Sequence, residues 1–184
     1  FQAVFAHVCH PGSACTDEER AAARRAWERM RFIGFDSFEG LPAPEGVDAG
    51  APDLPKGKFD CSEPAVRGNI AAAGVPMEKV VTVPGWYADT LTPATREQLS
   101  LEAAAIVHID CDLYESAKRV LDFVTPLLCE GAILIFDDWY CFKGNPDLGE
   151  QRACREWLDQ NGVWTLHQYQ KEGPWANSFI VGRR

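Results

Sequence analysis

The sequence predicts an α/β fold, a doubly wound and mostly parallel sheet that ends in an antiparallel strand pair. Three observations predict it. Short apolar runs alternate with helix-patterned segments along most of the chain. Two of those runs, 104–109 and 132–136, are almost wholly apolar, as strands covered on both faces must be. The last two runs, 163–169 and 178–181, are joined by a link containing Gly173-Pro174 that is too short for a helical crossover. At 184 residues the chain is expected to form a single domain.

Each element has its own local reason. Residues 1–10 are apolar at helical intervals and stop at Pro11-Gly12. Thr16 followed by Asp17, Glu18 and Glu19 starts a capped helix that runs to about Met30. Phe32-Ile33-Gly34-Phe35 reads as a strand closed by Asp36. The 42–58 segment is dense in proline and glycine and reads as a long surface loop. A helix is expected over 62–73, with Pro64 near its start and Gly74 as its stop.

A strand over 79–83 follows, then the turn Pro84-Gly85-Trp86 and a weak helix over 91–99. After the 104–109 strand, a helix over 114–128 carries Pro126 in its last turn. The 132–136 strand precedes a helix over 150–160, which stops at Asn161-Gly162.

Composition removes several function classes. Eighteen basic against 27 acidic residues give a formal charge of −9, the wrong sign for a phosphate-binding surface. The one dense basic cluster, Arg20 to Arg31, is interleaved with Glu18, Glu19 and Glu28 at helical spacing and reads as a solvated face. No apolar run approaches the ~20 residues that span a bilayer, and no basic-then-apolar leader opens the chain. A cytoplasmic protein with no nucleic-acid or membrane partner is expected. Seven cysteines, an odd number without a CxxC pair, read as free thiols rather than a zinc site or a disulfide framework.

In open α/β sheets ligands bind beyond the carboxyl ends of the strands. Asp36, Asp110 and the Asp137-Asp138 pair all close predicted strands. Carboxylates gathered there repel unless a cation lies among them, and an all-oxygen set suits Mg²⁺ or a similar hard ion. Asp112 and Glu115 are spaced as a capping box for the 114–128 helix. His108 lies within an apolar run and reads as a core histidine. Cys111, between two aspartates, reads as a buried spacer whose thiol pKa is raised. There is no GxSxG, HExxH, Walker or GxGxxG signature.

Four motifs in order carry a resemblance: Phe35-Asp36-Ser37-Phe38-Glu39-Gly40-Leu41-Pro42; Val83-Pro84-Gly85-Trp86 with Thr90-Leu91; His108 to Ser116; and Phe136-Asp137-Asp138. From about residue 31 onward the chain resembles the TylF/macrocin O-methyltransferase family. That resemblance implies a Rossmann-like methyltransferase sheet, S-adenosylmethionine and Mg²⁺ as cofactors, and a sugar hydroxyl of a natural product as acceptor. It further implies Asp110, Asp137 and Asp138 as metal ligands and Asp110 as general base. Asp36, with Ser37, Gly85 and Trp86, would lie at the cofactor, and a homodimer or higher homo-oligomer is common in such proteins. Bulky Trp139-Tyr140-Cys141-Phe142 and the 42–58 loop are candidate acceptor walls.

The family's opening strand and glycine-rich turn have no counterpart here, and Phe1 to Phe5 reads as the helix that should follow that turn. A longer functional protein is therefore expected. Two other readings compete on the residues alone. Asp110-Cys111-Asp112 is also the DxD of metal-dependent glycosyltransferases, although that leaves Asp137-Asp138 without a role. A methyltransferase fold kept as a non-catalytic module is the other. An aspartyl-phosphatase reading fails because Tyr114 stands where that motif needs threonine.

Overall fold

The computed structural model describes residues 16–49 and 53–184, so the helix expected over 1–10 lies outside the described residues. Two compact units divide the chain. One holds the described residues up to Asp36 together with Cys61–Pro84; the other holds Ser37–Asp60 and Gly85–Arg184.

In the first unit, α1 (Asp17–Arg29) begins as its sequence predicts. The Thr16 hydroxyl accepts from the Glu19 N–H at 3.2 Å, and the Glu19 carboxylate accepts from the Thr16 N–H at 2.7 Å, closing a capping box. Those bonds hold the Glu19 carboxyl below its ordinary range. β1 (Phe32–Asp36) and β2 (Val80–Pro84) pair in parallel, Phe32 opposite Val80 and Asp36 opposite Pro84. Helix α2 (Glu63–Ala72) connects them, and its Pro64 takes an early helical position where no N–H bond is forfeited. Lys79 closes the far end of the unit, donating to the carbonyls of Trp27 and Met30 at the end of α1.

The second unit is built on a four-stranded sheet of order β3-β4-β6-β5. β3 (Ile106–Ile109) and β4 (Ile133–Phe136) run in parallel; β6 (Ala176–Arg183) lies antiparallel to β4, and β5 (Trp164–Glu172) antiparallel to β6. The terminal antiparallel pair is thus present, with both strands longer than the sequence indicates. Among the described residues β3 pairs with β4 alone, and β1 with β2 alone. β3 is correspondingly less covered than a strand sandwiched on both faces, with Ile106 at 40% exposure.

The core of this unit lies between β4 and two amphipathic helices, α5 (Tyr114–Val124) and α6 (Gly149–Gln160). Ala117, Leu121, Leu134 and Phe136 are fully enclosed. Each large side chain of this kind contributes about 1.5–3 kcal/mol by leaving water. Pro126 ends α5 earlier than the sequence pattern indicates, and Thr125–Leu127 continues as a 3₁₀ turn. The Trp157 indole N–H then donates to the Thr125 hydroxyl at 2.8 Å, fixing α6 against that turn. The weak helix expected over 91–99 is instead two short ones, α3 (Tyr87–Thr90) and α4 (Pro93–Gln98). They divide because the Thr92 hydroxyl caps α4, accepting from the Thr95 N–H at 3.1 Å. No described helix is long and apolar enough to cross a membrane.

Candidate active site at the ends of β3 and β4

Strand register explains why the carboxylates meet. Ile109 pairs with Phe136, so Asp110 and Asp137 leave two parallel neighbours at the same level. One further bond, from the Asp137 N–H to the Ile109 carbonyl at 2.9 Å, carries the pairing past the strand ends. Asp110, Asp137 and Asp138 each offer a carboxylate oxygen, and these oxygens all lie within 4.8 Å of one another. The donor set is entirely hard oxygen, the chemistry that a divalent cation such as Mg²⁺ takes.

A second group, Asp112, Asp138 and Cys141, is equally close. It is the poorer metal set. Burial, then the charge of Asp138, pushes the Cys141 thiol up to about 12, so it stays protonated and donates to Asp138 Oδ1 at 3.3 Å.

Asp138 is held from three sides. Its N–H donates to Glu150 Oε2 at 3.1 Å, its Oδ2 accepts from the Asp112 N–H at 3.2 Å, and its Oδ1 meets Cys141. Burial raises its carboxyl pKa, while the Cys141 contact lowers it. Glu150, 1% exposed, is pushed well up by burial and then by the Asp138 charge; its Oε1 also receives the Cys111 S–H at 3.9 Å. Asp112 is raised to about 7 by burial and by the charges of Asp138 and Asp110, with Lys58 opposing. Burial and like charge thus act together on these neighbouring carboxyls, an arrangement that a cation among them would relieve.

Several expectations are corrected. Asp112 and Glu115 do not form a capping box: Leu113 is the N-cap of α5, and Asp112 takes a left-handed backbone with φ 56°. The first α5 N–H, that of Tyr114, donates instead to Asp48 Oδ2 at 2.5 Å. His108 is not a core histidine. On a strand it shares a face with Asp110, and its half-exposed ring places Nε2 3.2 Å from Asp137 Oδ1. Cys111 is buried with its thiol pushed well up, as expected. Of the described cysteines all five are free, but Cys61 and Cys129 are exposed.

The residues expected at the cofactor fall in both units. Asp36 ends β1 of the first unit as an exposed carboxylate, a group able to accept from ribose hydroxyls. Ser37, Gly85 and Trp86 belong to the second. The Ser37 hydroxyl is engaged in its own turn, donating to the Gly40 carbonyl at 3.1 Å and accepting from the Glu39 N–H at 3.1 Å. Trp86 precedes α3, and its carbonyl accepts the Thr90 hydroxyl at 3.0 Å. Gly40, in the same motif as Ser37, closes the base of the 42–58 loop. A Cβ there would lie 2.5 Å from the Lys58 carbonyl, and φ is +76°.

Sequence reasoning missed Asp48 and Glu150. Both are buried acids whose partners lie far along the chain, and neither sits in a spacing that marks it. In the 139–142 segment Trp139 packs on Phe136 and Phe179 at 5.0 and 4.8 Å between ring centres, and the Tyr140 N–H donates to the Trp175 carbonyl at 2.9 Å.

A strand-end carboxylate cluster on a mixed α/β sheet is the place where an α/β enzyme binds its ligands. Comparison with known proteins narrows the class of enzyme. The macrocin O-methyltransferase (TylF) family matches residues 12–163, and the chain belongs to that family. A Streptomyces olivaceus protein, 8-demethyl-8-(2,3-dimethoxy-alpha-L-rhamnosyl)-tetracenomycin-C 4'-O-methyltransferase, is 34% identical over 123 residues, 64% of this chain and 42% of its own. Mycinamicin III 3''-O-methyltransferase of Micromonospora griseorubida is 30% identical over 146 residues, 76% of this chain and 51% of its own. The chain spans about half the length of the curated relatives it matches. Among solved structures, the O-methyltransferase NovP superposes with a TM-score of 0.65 at 21% identity, over 88% of this chain and 64% of its own. CalS11, a calicheamicin methyltransferase, gives 0.64 at 27%, over 88% and 66%. Family membership leaves the glycosyltransferase reading of Asp110-Cys111-Asp112 without support.

Proposed function

We propose that this chain is the carboxylate-bearing part of an S-adenosylmethionine-dependent O-methyltransferase that methylates a sugar hydroxyl of a natural product. The observation that carries the reading is the meeting of Asp110, Asp137 and Asp138 within 4.8 Å at the ends of two paired parallel strands. The relatives' names, which specify a rhamnosyl 4'-hydroxyl and a mycinamicin 3''-hydroxyl, support a glycosidic acceptor.

A sugar hydroxyl is a weak nucleophile at neutral pH because it holds its proton. S-adenosylmethionine supplies an electrophilic methyl group, and a divalent cation held by Asp110, Asp137 and Asp138 would acidify the acceptor hydroxyl. Asp110 then accepts that proton on its carboxylate as the oxygen attacks, general-base catalysis worth about 10²–10⁴-fold. Asp110 is exposed, directly after β3. Asp137 and Asp138 orient the site, with Asp138 fixed by Glu150 and the Asp112 N–H and Asp137 flanked by His108.

The test is methyl transfer from labelled S-adenosylmethionine to p-nitrophenyl α-L-rhamnoside and a panel of macrolide glycosides, with Mg²⁺ and with EDTA. Turnover that needs Mg²⁺ and falls at least 10²-fold in a folded Asp110→Asn variant is expected. Undiminished turnover in that variant would remove Asp110 as the base. Absence of transfer, also from a chain extended upstream, would overturn the reading.

A further inference from the structure

Among the described residues, Asp48 is the buried carboxylate of the second unit with no hydrogen bond to the three clustered aspartates. It lies in the 3₁₀ turn Gly46–Asp48 of the 42–58 loop and is 2% exposed. Its Oδ2 accepts the Tyr114 N–H at 2.5 Å, and its Oδ1 accepts the Gly149 N–H at 3.2 Å. Tyr114 and Gly149 are the first residues of α5 and α6. The residues at both N-caps are leucines, Leu113 and Leu148, and neither can offer a side-chain acceptor. One carboxylate from the loop thus caps two helices at once, placing a negative charge at two positive helix ends.

Those two helices follow the carboxylate-bearing turns directly. α5 begins four residues after Asp110, and a Cβ on Gly149 would lie 3.0 Å from the Asp112 carbonyl. The loop base is closed by the Leu41 N–H to the Lys58 carbonyl and the Gly57 N–H to the Leu41 carbonyl, both 2.9 Å. The Lys58 charge at that base acts on Asp112. The described loop residues are therefore fastened beside the site through the loop base and through Asp48. Asp138 itself is bonded by Glu150 and the Asp112 N–H, and Asp48 is not a partner in either bond.

We infer that Asp48 is the positioning residue that holds the described loop residues 42–49 and 53–58 as a wall of the acceptor site, acting on acceptor binding rather than on the metal or the proton transfer. Its kinetic consequence rests on the methyl-transfer reading; its structural consequence does not. The isosteric Asp48→Asn retains one acceptor oxygen but presents an amide N–H₂ to the second helix N–H; Asp48→Ala retains neither. Where the alanine variant does not fold, the asparagine variant decides.

Two ligand-free readouts test the fastening: amide hydrogen exchange at Tyr114 and Gly149 by NMR, and tryptic cleavage after Lys56 and Lys58 followed by mass spectrometry. In Asp48→Asn, exchange at one or both amides and cleavage at the two lysines should each rise about tenfold, consistent with loss of a charge-assisted bond. Mn²⁺ affinity should change less than about threefold. With S-adenosylmethionine and p-nitrophenyl α-L-rhamnoside, KM for the glycoside should rise about tenfold while kcat changes less than about threefold, the signature of lost acceptor binding. Unchanged exchange and cleavage overturn the fastening. A tenfold loss of Mn²⁺ affinity, or a fall in kcat at constant KM, overturns the assignment to the acceptor wall. Absence of methyl transfer from the wild-type chain, and also from a chain extended upstream, retires the methyl-transfer reading, and the exchange and cleavage results still decide the role of Asp48.

Discussion

Replacing Asp112 by asparagine should stabilise the folded chain at alkaline pH. The side chain is 6% exposed, and burial first, then the charges of Asp138 and Asp110, push its carboxyl from 3.8 up to about 7. The folded state therefore binds this proton more tightly than the unfolded state does. The penalty for ionising Asp112 grows as pH rises from about 4 and is complete above about 7. A shift of about 3 pH units corresponds to about 4 kcal/mol, an upper figure because Asp138 and Glu150 share protons with it. Asparagine keeps the shape, removes the charge and tolerates the left-handed backbone at φ 56°. In EDTA at pH 8, Asp112→Asn should be about 2–4 kcal/mol more stable than the parent, and the two should converge near pH 4. Urea unfolding followed by tryptophan fluorescence at pH 4, 6, 7 and 8 measures this. A variant no more stable at pH 8, or an advantage that persists undiminished in acid, would refute the reasoning.

Three further substitutions probe separate links. Asp137→Asn should raise the Mg²⁺ concentration needed for half-maximal methyl transfer at least about tenfold; an unchanged requirement removes Asp137 from the ligands. Leu134→Ala, at a fully buried position of β4, should cost about 2–5 kcal/mol in urea unfolding, and a loss below about 1 kcal/mol would mean that β4 is not the centre of this core. Gly149→Ala places a Cβ 2.7 Å from the Phe142 ring at φ +52° and should destabilise by about 1–3 kcal/mol. Equal melting of the two proteins would show that α6 does not start in the strained geometry described.

The alternation of strands and helices was legible because each element carries a local signal. Thr16 with Glu19 and Pro64 set helix starts, and the apolar run before Asp137 sets β4. The meeting of Asp110 with Asp137 and Asp138 was legible too, since neighbouring parallel strands that end in carboxylates bring them to one level. Signals failed where a distant residue supplies the partner. The spacing of Asp112 and Glu115 mimics a capping box, but Asp48, 66 residues away from Tyr114, takes the α5 N–H instead. His108 sits in an apolar run whose exposed face shows only once β3 has a single neighbour among the described residues. Glu150 resembles any acid in the first turn of a helix. Only its burial against Asp138 and Cys111 sets it apart.

The central claim, that the three strand-end aspartates form a divalent-cation site, is tested most directly by Mn²⁺ titration followed by electron paramagnetic resonance, without cofactor or acceptor. The account predicts one saturable ion per chain for the parent and at least about a tenfold weaker site in Asp138→Asn. Absence of saturable binding, or the same affinity in the variant, would contradict it.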